Sequence, residues 1–156
     1  MLEEIAAKIR ETQQAFKRLN YSWAKISAKE FYDYMTGEIF SEDTTTLQDV
    51  LGNEFLMVHE LAEMSELKKT GRKINEHTLA ETPKKHVYTA HFSALEQELN
   101  YALLKKDTFY AKIRLTQHKE SVLDTDPNLP EELRPRAERI LEKYRKLIEE
   151  ATTQHV

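Results

Sequence analysis

Leu2, Ile5, Ile9, Phe16 and Leu19 recur at helical spacing and predict a first helix over about residues 2–19. Asn20-Tyr21-Ser22 interrupts it. Ser27 followed three residues later by Glu30 reads as a capping box, in which each side chain satisfies the other residue's backbone N–H. It opens a short aromatic helix with Phe31, Tyr32, Tyr34 and Met35, ending near Gly37. Ser41 to Thr46 is a polar loop, and Thr45 with Gln48 makes a second capping box. One long helix follows and ends before Gly71, with Leu47, Val50, Leu51, Phe55, Val58, Leu61 and Ala62 on one broad apolar face. Residues 71–83 are polar, contain Gly71 and Pro83, and read as a connection. From Lys84 to Leu123 there is no Gly or Pro, and Val87, His91, Leu95, Glu98, Ala102, Phe109, Ile113 and Thr116 keep one stripe. One very long helix fits this run. So do two helices broken at Lys106-Asp107-Thr108, because Asp and Thr favour caps. Asp126-Pro127 and Pro130 mark a loop. The last helix starts near Pro130 or Pro135 and runs to about Ala151, with Ala137, Ile140, Leu141, Tyr144, Leu147 and Ile148 on one face.

No segment alternates as a strand, and no internal repeat occurs. The expected fold is therefore all-α, a multi-helical bundle in one domain over residues 1–156. Composition agrees. Only 3 Gly and 4 Pro occur, too few for a fold rich in turns. The absence of Cys excludes disulfides, thiolate metal sites and Cys nucleophiles. No apolar run approaches membrane-spanning length, and Met1-Leu2-Glu3-Glu4-Ile5 is an acidic amphipathic start rather than a signal peptide, so a cytoplasmic location is the default. The net charge of −4 argues against nucleic acid as a partner.

The chemistry is expected on the helix ending before Gly71. Leu56, Glu60, Glu63 and Leu67 form a second stripe, nearly opposite the main apolar face at about 100° per residue. Glu60 and Glu63 project side by side between leucines. Two such carboxylates repel each other and lose solvation, and a hard divalent cation relieves both costs. A solvated acidic face is the plainer reading. Three other polar residues fall on faces expected to be core: Glu54 between Leu47, Leu51, Val58 and Leu61, and His91 and Glu98 on the next helix. Buried groups of this kind need partners, so these three are expected to pair with one another or to form a metal or substrate site between the two helices. His59 points about 100° from Glu60 and reads as a boundary residue. Lys68, Lys69 and Arg72 follow the acidic pair and either contact phosphates or close a helix end that favours cations. No phosphate-binding glycine loop or nucleophile elbow is present.

The run His59-Glu60-Leu61-Ala62-Glu63-Met64-Ser65-Glu66-Leu67 resembles the first acidic helix of the all-α NTP pyrophosphohydrolases, the superfamily of MazG-like enzymes, dimeric dUTPases and phosphoribosyl-ATP pyrophosphohydrolases. Their pattern there is roughly Glu-Glu-x-x-Glu, so Glu60 and Glu63 match and His59 replaces the first acid. The second family motif, Glu-x-x-Asp, falls on Lys85 and Tyr88, with His91-Phe92 resembling the residues that follow. This second motif is thus missing its acids. The resemblance spans about residues 45–105. It implies hydrolysis of a nucleoside triphosphate to the monophosphate and pyrophosphate, with Mg²⁺, or alternatively Mn²⁺, bound by Glu60, Glu63 and Glu98. His91 would join the catalytic set, and Lys68, Lys69 and Arg72 would contact the substrate.

The missing acids favour a rival expectation, a helical interaction or scaffold protein without catalysis. A dimeric four-helix core with flanking helices, as homodimer or tetramer, is expected in either case. Leu56, Met57, Met64 and Leu67, the stripe from Val87 to Thr116 and the last helix offer more apolar surface than one small bundle covers.

Overall fold

The computed structural model describes residues 1–38 and 45–153. Among them are eight α-helices and no strand: α1 (Leu2–Arg18), α2 (Ala28–Met35), α3 (Leu47–Leu51), α4 (Glu54–Lys69), α5 (Thr78–Glu81), α6 (Lys84–Leu104), α7 (Thr108–His118) and α8 (Arg134–Thr153). The all-α bundle expected from periodicity is the observed architecture. No helix among the described residues is long and apolar enough to cross a membrane.

Local signals set several boundaries. Ser27 and Glu30 form the expected capping box at α2, with Glu30 N–H donating to Ser27 Oγ at 3.1 Å and Ser27 N–H to Glu30 Oε1 at 2.9 Å. The box before α3 is shifted by one residue from its expected place: Thr46 and Asp49 form it, not Thr45 and Gln48. Most of the polar loop expected from Ser41 lies outside the described residues. The run from Lys84 divides where Asp107 caps α7, accepting from the Tyr110 N–H at 2.9 Å. Lys106 there takes a positive φ of 62°, a left-handed turn that ends α6. The break changes the helical phase. Val87, Leu95, Glu98 and Ala102 of the stripe are buried and His91 is half-buried, but Phe109 and Ile113 face outward, and α7 buries Ala111, Leu115 and His118 instead.

The helix expected from Leu47 to Gly71 is also two helices, divided at Gly52-Asn53. Asn53 caps α4, its Oδ1 accepting from the N–H groups of Phe55 and Leu56 at 2.9 and 3.1 Å. This corrects the placement of Glu54. Leu47 and Leu51 are out of register with α4, so Glu54 is not framed by them. It opens α4 at the surface, with its side chain 53% exposed and 3.3 Å from Lys105 Nζ. It pairs with neither His91 nor Glu98.

Helix α4 is the centre of the bundle. It packs along α6 and is flanked by α1 and α3. Met57, Met64 and Leu67, expected on an exposed apolar stripe, are buried within this one chain, and only Leu56 of that set is half-buried. Helix α8 lies against α6 and α7. Its Tyr144 is fully buried and donates through its hydroxyl to Asn100 Oδ1 on α6 at 2.7 Å.

Candidate metal centre

The α4–α6 contact contains a chain of polar side chains in an otherwise apolar layer. His59 and Glu63 lie one turn apart on the side of α4 that meets α6. His59 Nε2 is 3.1 Å from Glu63 Oε2, and its Nδ1 is 2.8 Å from Glu98 Oε1 on α6. His91, also on α6, brings Nδ1 to 3.7 Å from Glu63 Oε2, and its ring lies 4.9 Å from that of His59. His59, Glu63 and Glu98 are buried, while the His91 side chain is 31% exposed at the edge.

Two further helices complete the arrangement. Tyr34 on α2 donates to Glu63 Oε1 at 2.8 Å. Tyr110 and Arg114, one turn apart on α7, both reach Glu98. Tyr110 donates to Glu98 Oε2 at 2.6 Å, Arg114 Nε to Oε2 at 2.5 Å and Arg114 Nη2 to Oε1 at 3.1 Å. With His59 Nδ1, Glu98 accepts four hydrogen bonds, two at each oxygen. A carboxylate offers about four lone-pair sites. Those of Glu98 are all taken, so it has none left for the ligand role expected of it without losing a donor.

The charges balance. Burial pulls the His59 pKa down, but its bonds to Glu63 and Glu98 outweigh burial and push it up to about 10. Burial raises Glu98, yet His59 and Arg114 hold it down at about 2. Glu63 is held well below the usual carboxylate range against burial by its hydrogen bond with His59 and by the nearby His91 ring. Two carboxylates thus face an imidazolium and a guanidinium.

The expected residues separate into two groups. Glu63, His91 and Glu98 come together here. Glu60 is half-buried one residue beyond His59, within electrostatic reach of His59 and Arg114, but outside the group of close donor atoms. That group is His59, Glu63 and His91, whose ligand atoms lie within 4.8 Å of one another, close enough to share one ion. Lys68 and Lys69 turn to the α1–α2 connection. Lys68 Nζ donates to Lys25 O at 2.7 Å and to Glu30, and Lys69 Nζ to Ser22 O and Glu66. Arg72 is half-buried just past the end of α4.

Sequence reasoning placed His59 at a boundary and did not single out Tyr34, Tyr110 or Arg114. For His59 a signal existed, since His-x-x-x-Glu puts it over Glu63 on one helical face. Helix packing alone brings the other three into the site. His118 on α7 was also unmarked. It is buried, and its Nε2–H donates to Ala137 O at 2.9 Å. Because a carbonyl only accepts, Nδ1 carries the lone pair, and it has no hydrogen-bond partner among the described residues. Burial lowers the His118 pKa, so the ring stays neutral.

Two clefts lie away from this cluster. One of about 440 Å³ is lined by Lys8, Glu11, Asn53, Glu54 and Tyr101, and one of about 480 Å³ by Glu96, Arg136, Arg139, Lys143 and Lys146 between α6 and α8.

Compared with family models, curated proteins and solved structures, the chain matches none. The resemblance to the pyrophosphohydrolases therefore rests on the residues that carry it.

Proposed function

We propose that this chain is a divergent metal-dependent hydrolase of phosphoanhydrides, cleaving a nucleoside triphosphate to the monophosphate and pyrophosphate. The observation that carries the reading is the convergence of Glu63, the second acid of the matched motif, with two imidazoles on the helix pair where the resemblance puts the site. An Mg²⁺ ion held by Glu60, Glu63 and Glu98 is a poor fit, because Glu98 is saturated and the donors nearest Glu63 are nitrogens. Mn²⁺, the alternative ion, tolerates imidazole. A bound divalent ion polarises phosphoryl oxygens and lowers the pKa of water. His91, at the open edge of the cluster, is the group placed to meet substrate or orient water. Arg72 keeps the phosphate-contacting role in this reading, whereas Lys68 and Lys69 already serve the fold. The test is pyrophosphate release from a panel of nucleoside triphosphates with Mg²⁺ or Mn²⁺, for wild type and Glu63→Gln. Activity that requires metal and is lost in Glu63→Gln supports the reading. No release from any triphosphate removes it.

One observation favours a second reading, a scaffold without catalysis. His59 and Arg114 already neutralise Glu63 and Glu98, so the cluster is complete as an ion-pair network joining α4, α6 and α7. A homodimer or tetramer accompanies either reading. Its support now comes from Leu104, Phe109 and Ile113, apolar and exposed around the start of α7, with Phe109 76% exposed. Light scattering at micromolar concentration tests it, and a mass near 18.3 kDa removes it.

A further inference from the structure

We infer that His59 Nε2, Glu63 Oε2 and one ring nitrogen of His91 form an open three-ligand centre for a divalent transition-metal ion such as Zn²⁺ or Mn²⁺, and that Mg²⁺ does not compete for it. The inference rests on reading the α4–α6 cluster as a metal centre, but not on any reaction there.

Spacing is the first argument. Donors about 2.1 Å from an ion at tetrahedral angles lie about 3.4 Å apart. Glu63 Oε2 is 3.1 Å from His59 Nε2 and 3.7 Å from His91 Nδ1, values on either side of that edge. All three ligand atoms fit within 4.8 Å, so small side-chain rotations bring them onto one ion.

The surroundings of each donor are the second. His59 has Nδ1 against Glu98 Oε1, and Arg114 and Tyr110 fix Glu98 in turn. A ligating imidazole commonly gives its remote N–H to a carboxylate, which sets the tautomer and aims the other nitrogen at the ion. In the ion-free fold Nε2 carries a proton toward Glu63; an entering ion displaces that proton, and with Nδ1–H held by Glu98 the freed Nε2 lone pair points to the same side as Glu63 Oε2. Tyr34 likewise occupies Glu63 Oε1 and leaves Oε2 toward the imidazoles. Both buried ligands are thus oriented by groups from other helices. Entry is available as well, since His91 is the ligand at the solvent edge.

Donor chemistry selects the ion. Two imidazole nitrogens and one carboxylate suit Zn²⁺, Mn²⁺ or Fe²⁺, whereas Mg²⁺ prefers oxygens. Three protein ligands leave at least one position for water or substrate, the pattern of catalytic rather than structural sites.

The experiment is isothermal titration of the full, chelator-stripped chain with Zn²⁺, Mn²⁺ and Mg²⁺ in turn. The expected result is one Zn²⁺ or Mn²⁺ per chain, with Mg²⁺ at least 100-fold weaker. His91→Ala should weaken binding at least 10-fold, and its partial exposure lets this variant keep the fold, checked by its melting curve. Glu63→Gln should weaken binding similarly. His86 is exposed on α6 and outside the cluster, so His86→Ala should leave binding unchanged. Equal affinity for Mg²⁺, unchanged binding in His91→Ala, or loss in His86→Ala instead would each overturn the assignment. Transition-metal binding without pyrophosphate release keeps this inference and removes the proposed reaction. Mg²⁺-dependent release indifferent to His91→Ala does the reverse.

Discussion

Replacing Glu98 by glutamine keeps the shape of the side chain and removes its charge at a fully enclosed point of the bundle. Glu98 is 0% exposed and accepts from His59, Tyr110 and twice from Arg114. A glutamine amide has one oxygen and one NH₂ group. In either orientation the NH₂ meets an Arg114 N–H, together with either the His59 N–H or the Tyr110 hydroxyl. Two donors then face each other, and the imidazolium and guanidinium lose their shared counter-charge. Breaking a buried pair from one side costs about 3–5 kcal/mol, because the partner charge is left uncompensated. That is the loss expected for Glu98→Gln in urea denaturation followed by circular dichroism at pH 7 with chelator present. A domain with about 5–15 kcal/mol of stability survives it. Arg114→Met should cost less, since Glu98 keeps His59 and Tyr110, and the double variant should fall short of the summed costs by about 1 kcal/mol or more. A Glu98→Gln loss under about 1 kcal/mol, or strict additivity with Arg114→Met, would show that the buried network is not what joins α4, α6 and α7.

Stability of the metal-free protein should depend on pH through His59. A raised histidine pKa stabilises fully below the unfolded value of 6.5 and stops doing so as pH rises through the folded value of about 10. Between pH 6 and 9.5 the urea-unfolding free energy should therefore fall by an amount on the order of 3 kcal/mol, and a flat profile would mean that His59 is neutral in the fold. Tyr34→Phe removes the donor to Glu63 Oε1 and should cost about 1–2 kcal/mol in the same assay. A Cβ on Gly37 would stand 2.4 Å from Glu76 O and 2.8 Å from Asp33 O, both backbone atoms that cannot swing aside. Gly37→Ala should consequently lower stability by about 2 kcal/mol or more, read as a shift in the thermal midpoint, and an unchanged midpoint would refute that packing.

The bundle was legible wherever one face of a helix is dry and the other wet. Helix α1, with Ile5 and Phe16 buried and Leu2 at the surface, and α8, with Ile140, Tyr144 and Ile148 inside, are of this kind. Short polar signals worked too, as at Ser27 and Glu30 and at Asp107, because a cap is decided by neighbours within four residues. Helix α4 defeats the same logic for a physical reason. It is the central helix, and Phe55, Met57, Val58, Leu61, Met64 and Leu67 surround it with apolar groups on almost every side. Periodicity then cannot say which side meets α6. The apparent second stripe suggested a dimer surface, yet α4 buries it within its own chain. The break at Gly52-Asn53 compounded this by carrying a false register from Leu47 to Glu54.

The cluster of His59, Glu63, His91 and Glu98 depends on that unread rotation. Once α4 is turned so that His59 and Glu63 face α6, the rest follows from helical geometry. His91 and Glu98 lie two turns apart on α6, so one meets Glu63 and the other meets His59. Tyr110 and Arg114, one turn apart on α7, then close over Glu98. Four residues on the stripes of α4 and α6 are thus polar where the surrounding positions are apolar, and each is partnered. Such a network costs desolvation that a plain apolar layer of the same volume does not. Within the proposed centre Glu98 positions His59, Arg114 holds Glu98, and Tyr34 orients Glu63, so each expensive group has a task beyond packing. In a scaffold the same groups would serve only to fix the alignment of three helices. The two cases differ at His91, which takes little part in the buried pairing and stands at the solvent edge. His91→Ala should leave the fold nearly as stable as wild type in either case, and only in a metal centre should it also abolish tight Zn²⁺ or Mn²⁺ binding.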